Sequence, residues 1–190
     1  MIRAAHPTGR IEKGGEEWRP AIFFDRDGVL NIDHGYVHRV EQFTWVEGAR
    51  EAILWCNQQG YLVIVVTNQS GIARGYYDEA QLQELTAWMQ EQLAFDGAHM
   101  DGVYYCPHHP EAKDPYYRRQ CQCRKPQPGM LEQAIGEWEI DRERSILIGD
   151  NQTDLQAAQQ AGVAGFLFQG GRLDRFLLSA LVQHEQNFRS

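Results

Sequence analysis

Five short apolar runs recur along the chain: AIFF at 21–24, YLVIVV at 61–66, GVYY at 102–105, SILI at 145–148 and GFLF at 165–168. Runs this short without polar alternation suit strands covered on both faces. The segments between them carry helical periodicity. In EGAREAILWCNQQG, Ala49, Ala52, Ile53 and Cys56 share one face and Gly60 closes the helix. Asp78 opens another with Gln81 as its capping-box partner, and Leu82, Leu85, Met89 and Leu93 form the buried stripe. Pro128 is expected in the first turn of a helix over GMLEQAIGEW, and Gly162 ends one over TDLQAAQQAG. Strand and helix in alternation predict right-handed βαβ units. The expected fold is α/β, a three-layer Rossmann-like sandwich around a mainly parallel sheet.

Such sheets bind ligands beyond the carboxyl ends of their strands. Asp25 follows the first run, Thr67 the second, Cys106 the third, and Gly149 leads from the fourth into Asp150. Four polar motifs therefore converge on one edge. The 190 residues carry a net charge of −8, which argues against sequence-independent nucleic-acid binding. No apolar run approaches the roughly 20 residues that span a bilayer, and the N-terminus has no signal-peptide core. A cytoplasmic protein is expected, monomeric, with no nucleic-acid or membrane partner. One domain is expected over 21–190, preceded by a flexible leader at 1–20.

Asp25 and Asp27 lie two apart where the chain leaves a strand, and Gly28 permits a sharp turn. Carboxylates about 4 Å apart repel by about 4 kcal/mol at a surface-like dielectric, so the pair calls for a cation or a shared proton. Asp150 would reach the same point, and oxygen ligands of this kind suit Mg²⁺. Asp154, one turn on, would hold the metal's waters or the loop. With an anion drawn in, Asp25 is the expected nucleophile on phosphorus and Asp27 the acid/base. Thr67, the amides of TNQSG and Lys125 suit the phosphoryl oxygens, and Arg124 a second anionic group or a sugar. Each motif alone is common in surface loops. Their joint occurrence at successive strand ends favours chemistry.

Together FFDRDGVLN, VVTNQSG, CRKPQPGM and LIGDNQTDLQAA resemble the four motifs of the haloacid dehalogenase-like phosphohydrolases, over about residues 21–169. The resemblance implies that Asp25 is the nucleophile, Asp27 the acid/base, Thr67 and Lys125 phosphoryl stabilisers, and that Asp25, the Asp27 backbone carbonyl and Asp150 hold Mg²⁺. DHGYVH, TNQSGIARG and the cysteine loop running into RKPQPGM are similar to a branch acting on sugar bisphosphates. Many relatives carry an inserted cap over the site, for which the stretch from Asn31 to Tyr61 leaves no room. Selectivity would then fall to loops: Asp33, His34, Gly35, Tyr36, Asn68, Gln69, Ser70 and Arg124 are expected to contact a small sugar bisphosphate. Asn151 joins them, at a position where relatives often have Lys. The alternatives are another small-molecule phosphatase, such as one for histidinol phosphate, and a receiver-like domain that accepts a phosphoryl group on Asp without turnover.

Three of the four cysteines fall in CPHHPEAKDPYYRRQCQCRKP at 106–126. Cys106 and His108 form one pair, Cys121 and Cys123 another. Three thiolates and one imidazole complete a closed tetrahedral Zn²⁺ site, the structural arrangement. His109 competes with His108, and the resemblance favours His108. Zinc would pin the loop 106–123 and with it Arg124 and Lys125. Free thiols or a disulfide with one thiol left over are the plainer alternatives, and Cys56 is expected in the core.

Overall fold

The structure is a computed structural model and describes residues 18–189. Five strands, β1 (Arg19–Phe24), β2 (Leu62–Asn68), β3 (Gly102–Cys106), β4 (Ile140–Gly149) and β5 (Ala164–Leu167), form one sheet in the order β3-β2-β1-β4-β5. Every pairing is parallel. The helices are α1 (Ala49–Gln58), α2 (Ser70–Ala73), α3 (Glu79–Phe95), α4 (Gly129–Trp138), α5 (Gln152–Gln160) and α6 (Leu173–Arg189). The three-layer parallel architecture is the one the alternation predicts.

Strand periodicity sorts the core into two slabs. Ile22, Phe24, Val63, Val65, Ile146 and Ile148 face one side, where they meet Ala52 and Ile53 of α1, Leu85, Met89 and Leu93 of α3 and Leu173 and Leu177 of α6. Phe23, Leu62, Ile64, Val66 and Leu147 face the other, against Met130, Leu131, Ala134 and Ile135 of α4 and Ala157 and Ala158 of α5. Full burial of each large side chain is worth about 1.5–3 kcal/mol, so both faces of the central strands are fixed and their carboxyl ends with them. Cys56 lies in the first slab, as expected.

Local signals behave as written. Asp78 caps α3 by accepting from the Gln81 amide (2.8 Å), and its own amide donates to Gln81 Oε1 (3.1 Å). Other expectations need correction. Pro128 is the N-cap of α4, one residue before its first turn. The strand expected from Ala21 starts at Arg19, so residues 19–20 belong to the sheet; the rest of the expected leader, 1–17, lies outside the described residues. Helix α6 was not anticipated, although Leu173, Leu177, Ala180 and Leu181 recur at helical spacing. The connection from β1 to α1 contains a 3-10 turn (Val40–Gln42) and isolated bridges of Asn31 with Asp27 and Trp45.

The strand order reverses direction at β1: the chain runs outward through β2 and β3, then returns to place β4 on β1's other side. The crevice between β1 and β4 is the topological switch point, where open α/β sheets take their ligands.

Candidate active site and metal centres

Asp25 and Asp150 leave β1 and β4 at that switch point. Together with Asp154 of α5 they offer carboxylate oxygens that all lie within 4.8 Å of one another. Lys125 is buried among them. Its Nζ contacts Asp25 Oδ1 at 3.0 Å and Asp154 Oδ1 at 2.6 Å and donates to the Val66 carbonyl at 2.9 Å. Three acceptors match the three protons of an ammonium. Burial lowers the Lys125 pKa, but Asp25 and Asp154 outweigh it and the net shift is upward. Asp25 is 9% exposed. Burial pushes its pKa up to about 7, against Lys125 and with Asp154 and Asp27. Asp150 is shifted up as well, by burial and then by Asp154.

Two glycines make this crowding possible. A Cβ on Gly28 (φ +86°) would sit 2.1 Å from Asp150 Oδ2, and one on Gly149 2.2 Å from Asp154 Cβ. Both positions bring backbone against a carboxylate side chain, which only Gly allows.

The Asp27 carboxylate is held apart from that cluster. Arg26 Nη2 donates to both of its oxygens at 2.8 Å, Asn31 Nδ2 to Oδ1 at 3.1 Å and Gln69 Nε2 to Oδ2 at 2.9 Å. The same Arg26 nitrogen donates to the Val37 carbonyl at 2.6 Å. Thr67 is buried with its Oγ1 accepting from Gln69 Nε2 at 2.8 Å.

The expected substrate contacts separate into two groups. Asp33, His34, Gly35 and Tyr36 form an exposed bend in which Asp33 Oδ1 accepts from the Gly35 amide and the Tyr36 ring meets Tyr76 edge-on. Ser70 and Arg124 are partly exposed. Gln69, by contrast, is 1% exposed and sits behind the carboxylates. Asn68 uses its side chain on the backbone of Lys125, accepting from the amide at 3.0 Å and donating to the carbonyl at 3.1 Å. Asn151 caps α5, accepting from the Thr153 amide, while its own amide donates to Asp154 Oδ2. The sequence reading missed Arg26, Tyr77 and the Lys125–Asp154 pair. Arg26 had a local signal, a basic residue between two acids; the others depend on contacts between distant segments.

Cys106, His108, Cys121 and Cys123 converge so that their ligand atoms also lie within 4.8 Å of one another. The Sγ–Sγ separations are 3.2, 3.3 and 3.5 Å, and His108 Nδ1 is 3.7 Å from Cys106 Sγ and 3.4 Å from Cys123 Sγ. A tetrahedron of about 2.3 Å zinc–sulfur bonds has edges of about 3.8 Å, so the donors fit a zinc ion after a slight expansion. Its hydrogen bond with Cys106 holds the Cys123 thiol down at about 5, whereas Cys106 and Cys121 are shifted up. His109 turns away, its Nδ1 accepting from the Glu111 amide and its Nε2 beside Arg74.

An aspartate pair at the switch point, a third acid from β4 and a buried lysine define a HAD-like hydrolase, and the chain belongs to that family; the HAD-hydrolase-like family model matches residues 122–187. The chain is 52% identical over 144 residues to the D-glycero-beta-D-manno-heptose-1,7-bisphosphate 7-phosphatase of Photorhabdus laumondii, covering 76% of this chain and 77% of that protein. It is 49% identical over 144 residues to the Escherichia coli K12 enzyme of the same name, covering 76% and 75%. Among solved structures, the D,D-heptose 1,7-bisphosphate phosphatase of B. bronchiseptica, complexed with magnesium and phosphate, aligns with a TM-score of 0.72 at 33% identity over 90% of this chain and 98% of that one. Among the described residues no helix is long and apolar enough to cross a membrane.

Proposed function

We propose that this protein removes the 7-phosphate of D-glycero-β-D-manno-heptose 1,7-bisphosphate through an aspartyl phosphate on Asp25. The carboxylate of Asp25 attacks phosphorus. Asp27 gives its proton to the departing primary alkoxide, then takes one from the water that opens the acyl phosphate. Lys125 neutralises charge on the phosphoryl group, and the Thr67 hydroxyl and the amides at 68–70 donate to its equatorial oxygens. Asp25, the Asp27 carbonyl and Asp150 would hold Mg²⁺, which supplies charge neutralisation for a trianionic transition state. Exposed residues Asp33 to Tyr36, with Ser70 and Arg124, would meet the sugar and its other phosphate. Cys106, His108, Cys121 and Cys123 would hold a structural zinc.

The observation that carries this reading is Lys125 Nζ, 3.0 Å from Asp25 and 2.6 Å from Asp154, beside a cluster of three carboxylates that a divalent cation suits. Similarity to named heptose-bisphosphate phosphatases supplies the substrate. A screen of phosphate release over sugar bisphosphates and histidinol phosphate, with and without Mg²⁺, tests both parts. The heptose bisphosphate should give the highest kcat/KM, with many turnovers per chain. Asp25→Asn should abolish turnover while keeping fold and zinc, and retained phosphate release in that variant would remove Asp25 from the role.

A further inference from the structure

Behind Asp27 runs a buried chain of polar side chains. Gln69, 1% exposed, donates from Nε2 to both Asp27 Oδ2 (2.9 Å) and Thr67 Oγ1 (2.8 Å). Its Oε1 accepts from the hydroxyl of Tyr77, a residue 6% exposed (2.5 Å). The Tyr77 ring is fixed on two sides. His38 stacks on it with centroids 4.7 Å apart and planes 7° from parallel, and a Cβ on Gly71 would lie 2.1 Å from its Cε1. Burial pushes the phenol's pKa upward, so the hydroxyl remains a donor.

A primary amide offers two donors at one end and an acceptor at the other, and its two orientations differ by exchange of those ends. Turned the other way, Gln69 would set its carbonyl oxygen against the Asp27 carboxylate and its NH₂ against the Tyr77 hydroxyl. The Tyr77 donor therefore selects the orientation that serves Asp27. Without it, Gln69 Oε1 is a buried acceptor lacking its donor, and such a group relaxes toward any alternative.

We propose that Tyr77 is a positioning residue for the acid/base Asp27, acting through the amide of Gln69; this rests on the assignment of Asp27 in the preceding section. Tyr77 touches no reacting atom. Its effect is to keep the Asp27 carboxyl aimed at the leaving oxygen, so it should matter in proportion to how much the leaving group needs a proton. A sugar phosphate expels a primary alkoxide and needs one. An aryl phosphate such as p-nitrophenyl phosphate expels a stabilised phenolate and does not. In both, kcat/KM reports the steps up to transfer of phosphorus onto Asp25, before Asp27 acts as base.

The test compares wild type, Tyr77→Phe and Gln69→Leu, singly and combined, on the heptose bisphosphate and on p-nitrophenyl phosphate, with thermal melts as a check on folding. A positioned general acid contributes about 10²–10⁴-fold. Tyr77→Phe should lose at least about tenfold of this in kcat/KM on the sugar phosphate and less than about threefold on the aryl phosphate. Because both residues act along one chain, the double variant should be no slower than Gln69→Leu alone. Gln69→Leu also removes the donor to Thr67 Oγ1, so it should lose activity on both esters and at least about tenfold more on the sugar phosphate; that excess keeps the question open to test should the Phe variant fold poorly. Equal losses on both esters, no loss on the sugar phosphate, or additive effects of the two substitutions would each overturn the proposal. A wild-type protein inert on both esters would instead remove the phosphatase reading, and the role of Tyr77 with it.

Discussion

Replacing Asp25 by Asn should stabilise the magnesium-free protein above neutral pH, at the cost of all turnover. Asp25 is 9% exposed, and its pKa is pushed up from 3.8 to about 7, first by burial and then by Asp154 and Asp27, with Lys125 only partly opposing them. A group whose folded pKa lies above its unfolded one binds its proton more tightly when folded. Its contribution to stability is complete below about pH 4 and is lost as pH rises through 7. About three pKa units at about 1.4 kcal/mol each put the cost of ionising Asp25 inside the fold on the order of 4 kcal/mol. Asn has the same shape and no charge, and its carbonyl can still accept from Lys125. In urea melts of zinc-loaded protein without magnesium, the variant should match wild type below about pH 4 and gain up to about 4 kcal/mol by pH 8. At about 2–4 °C per kcal/mol this is on the order of 10 °C in Tm. Magnesium should close the gap by binding wild type more tightly than the neutral variant. A gap independent of pH, or a wild type that is the more stable protein at pH 8, would refute the electrostatic account of the site.

Gly28→Ala sets a Cβ 2.1 Å from Asp150 Oδ2 and should cost at least about a hundredfold in kcat/KM with a weakened magnesium dependence, whereas Gly35→Ala, at a similar φ with nothing within 4 Å, should cost about 1 kcal/mol or so of strain and spare the metal dependence. Asp78→Ala removes the α3 cap and should lower stability by about 1 kcal/mol in denaturant melts without changing kcat. Zinc uptake should release protons and weaken as pH falls, because Cys106 and Cys121 have raised pKa values and the metal binds thiolates; calorimetry in buffers of different ionisation enthalpy measures the count, and zero release would contradict the thiol assignments.

The parts of this molecule that the sequence discloses are those fixed by local or periodic physics. Parallel strands buried on both faces have to be apolar, so the runs of β1, β2, β3 and the second half of β4 announce strands, and β5 follows from a shorter run that is only partly buried. The Asp78–Gln81 box needs only its own turn. Asp25, Thr67 and Asp150 could be placed because strand ends on a parallel sheet lie at one edge, whatever the side chains do there. Pairing across the chain leaves no such trace. Nothing in the sequence around Gln69 says that its amide is taken up by Asp27, Thr67 and Tyr77, so a residue that looks like a substrate contact is buried. Asn151 likewise spends its side chain on the first turn of α5. Helix α6 had a readable stripe, but nothing after β5 required a helix to complete a βαβ unit.

The segment that carries Lys125 is tied down at more than one point, which sets how far zinc should matter. Cys121 and Cys123 enter the thiol cluster, the Lys125 backbone makes two hydrogen bonds with Asn68 at the end of β2, and the Gly129 amide donates to the Gln122 carbonyl (2.8 Å), where a Cβ on Gly129 would lie 2.3 Å from that oxygen. The ammonium is itself held by Val66, Asp25 and Asp154. Losing the metal removes the first tether and leaves the others. Zinc-free protein, obtained by Cys123→Ser or by chelation, should therefore bind substrate poorly through Arg124 and the loosened loop while keeping a measurable kcat, with KM raised by about tenfold or more, equivalent to about 1.4 kcal/mol of lost binding. Lys125→Met, which removes the charge itself, should drop kcat by orders of magnitude. If zinc removal lowered kcat as far as Lys125→Met does, in protein that still shows the wild-type circular dichroism, the Asn68 and Gly129 contacts would not be holding the lysine, and the zinc would be its only effective anchor.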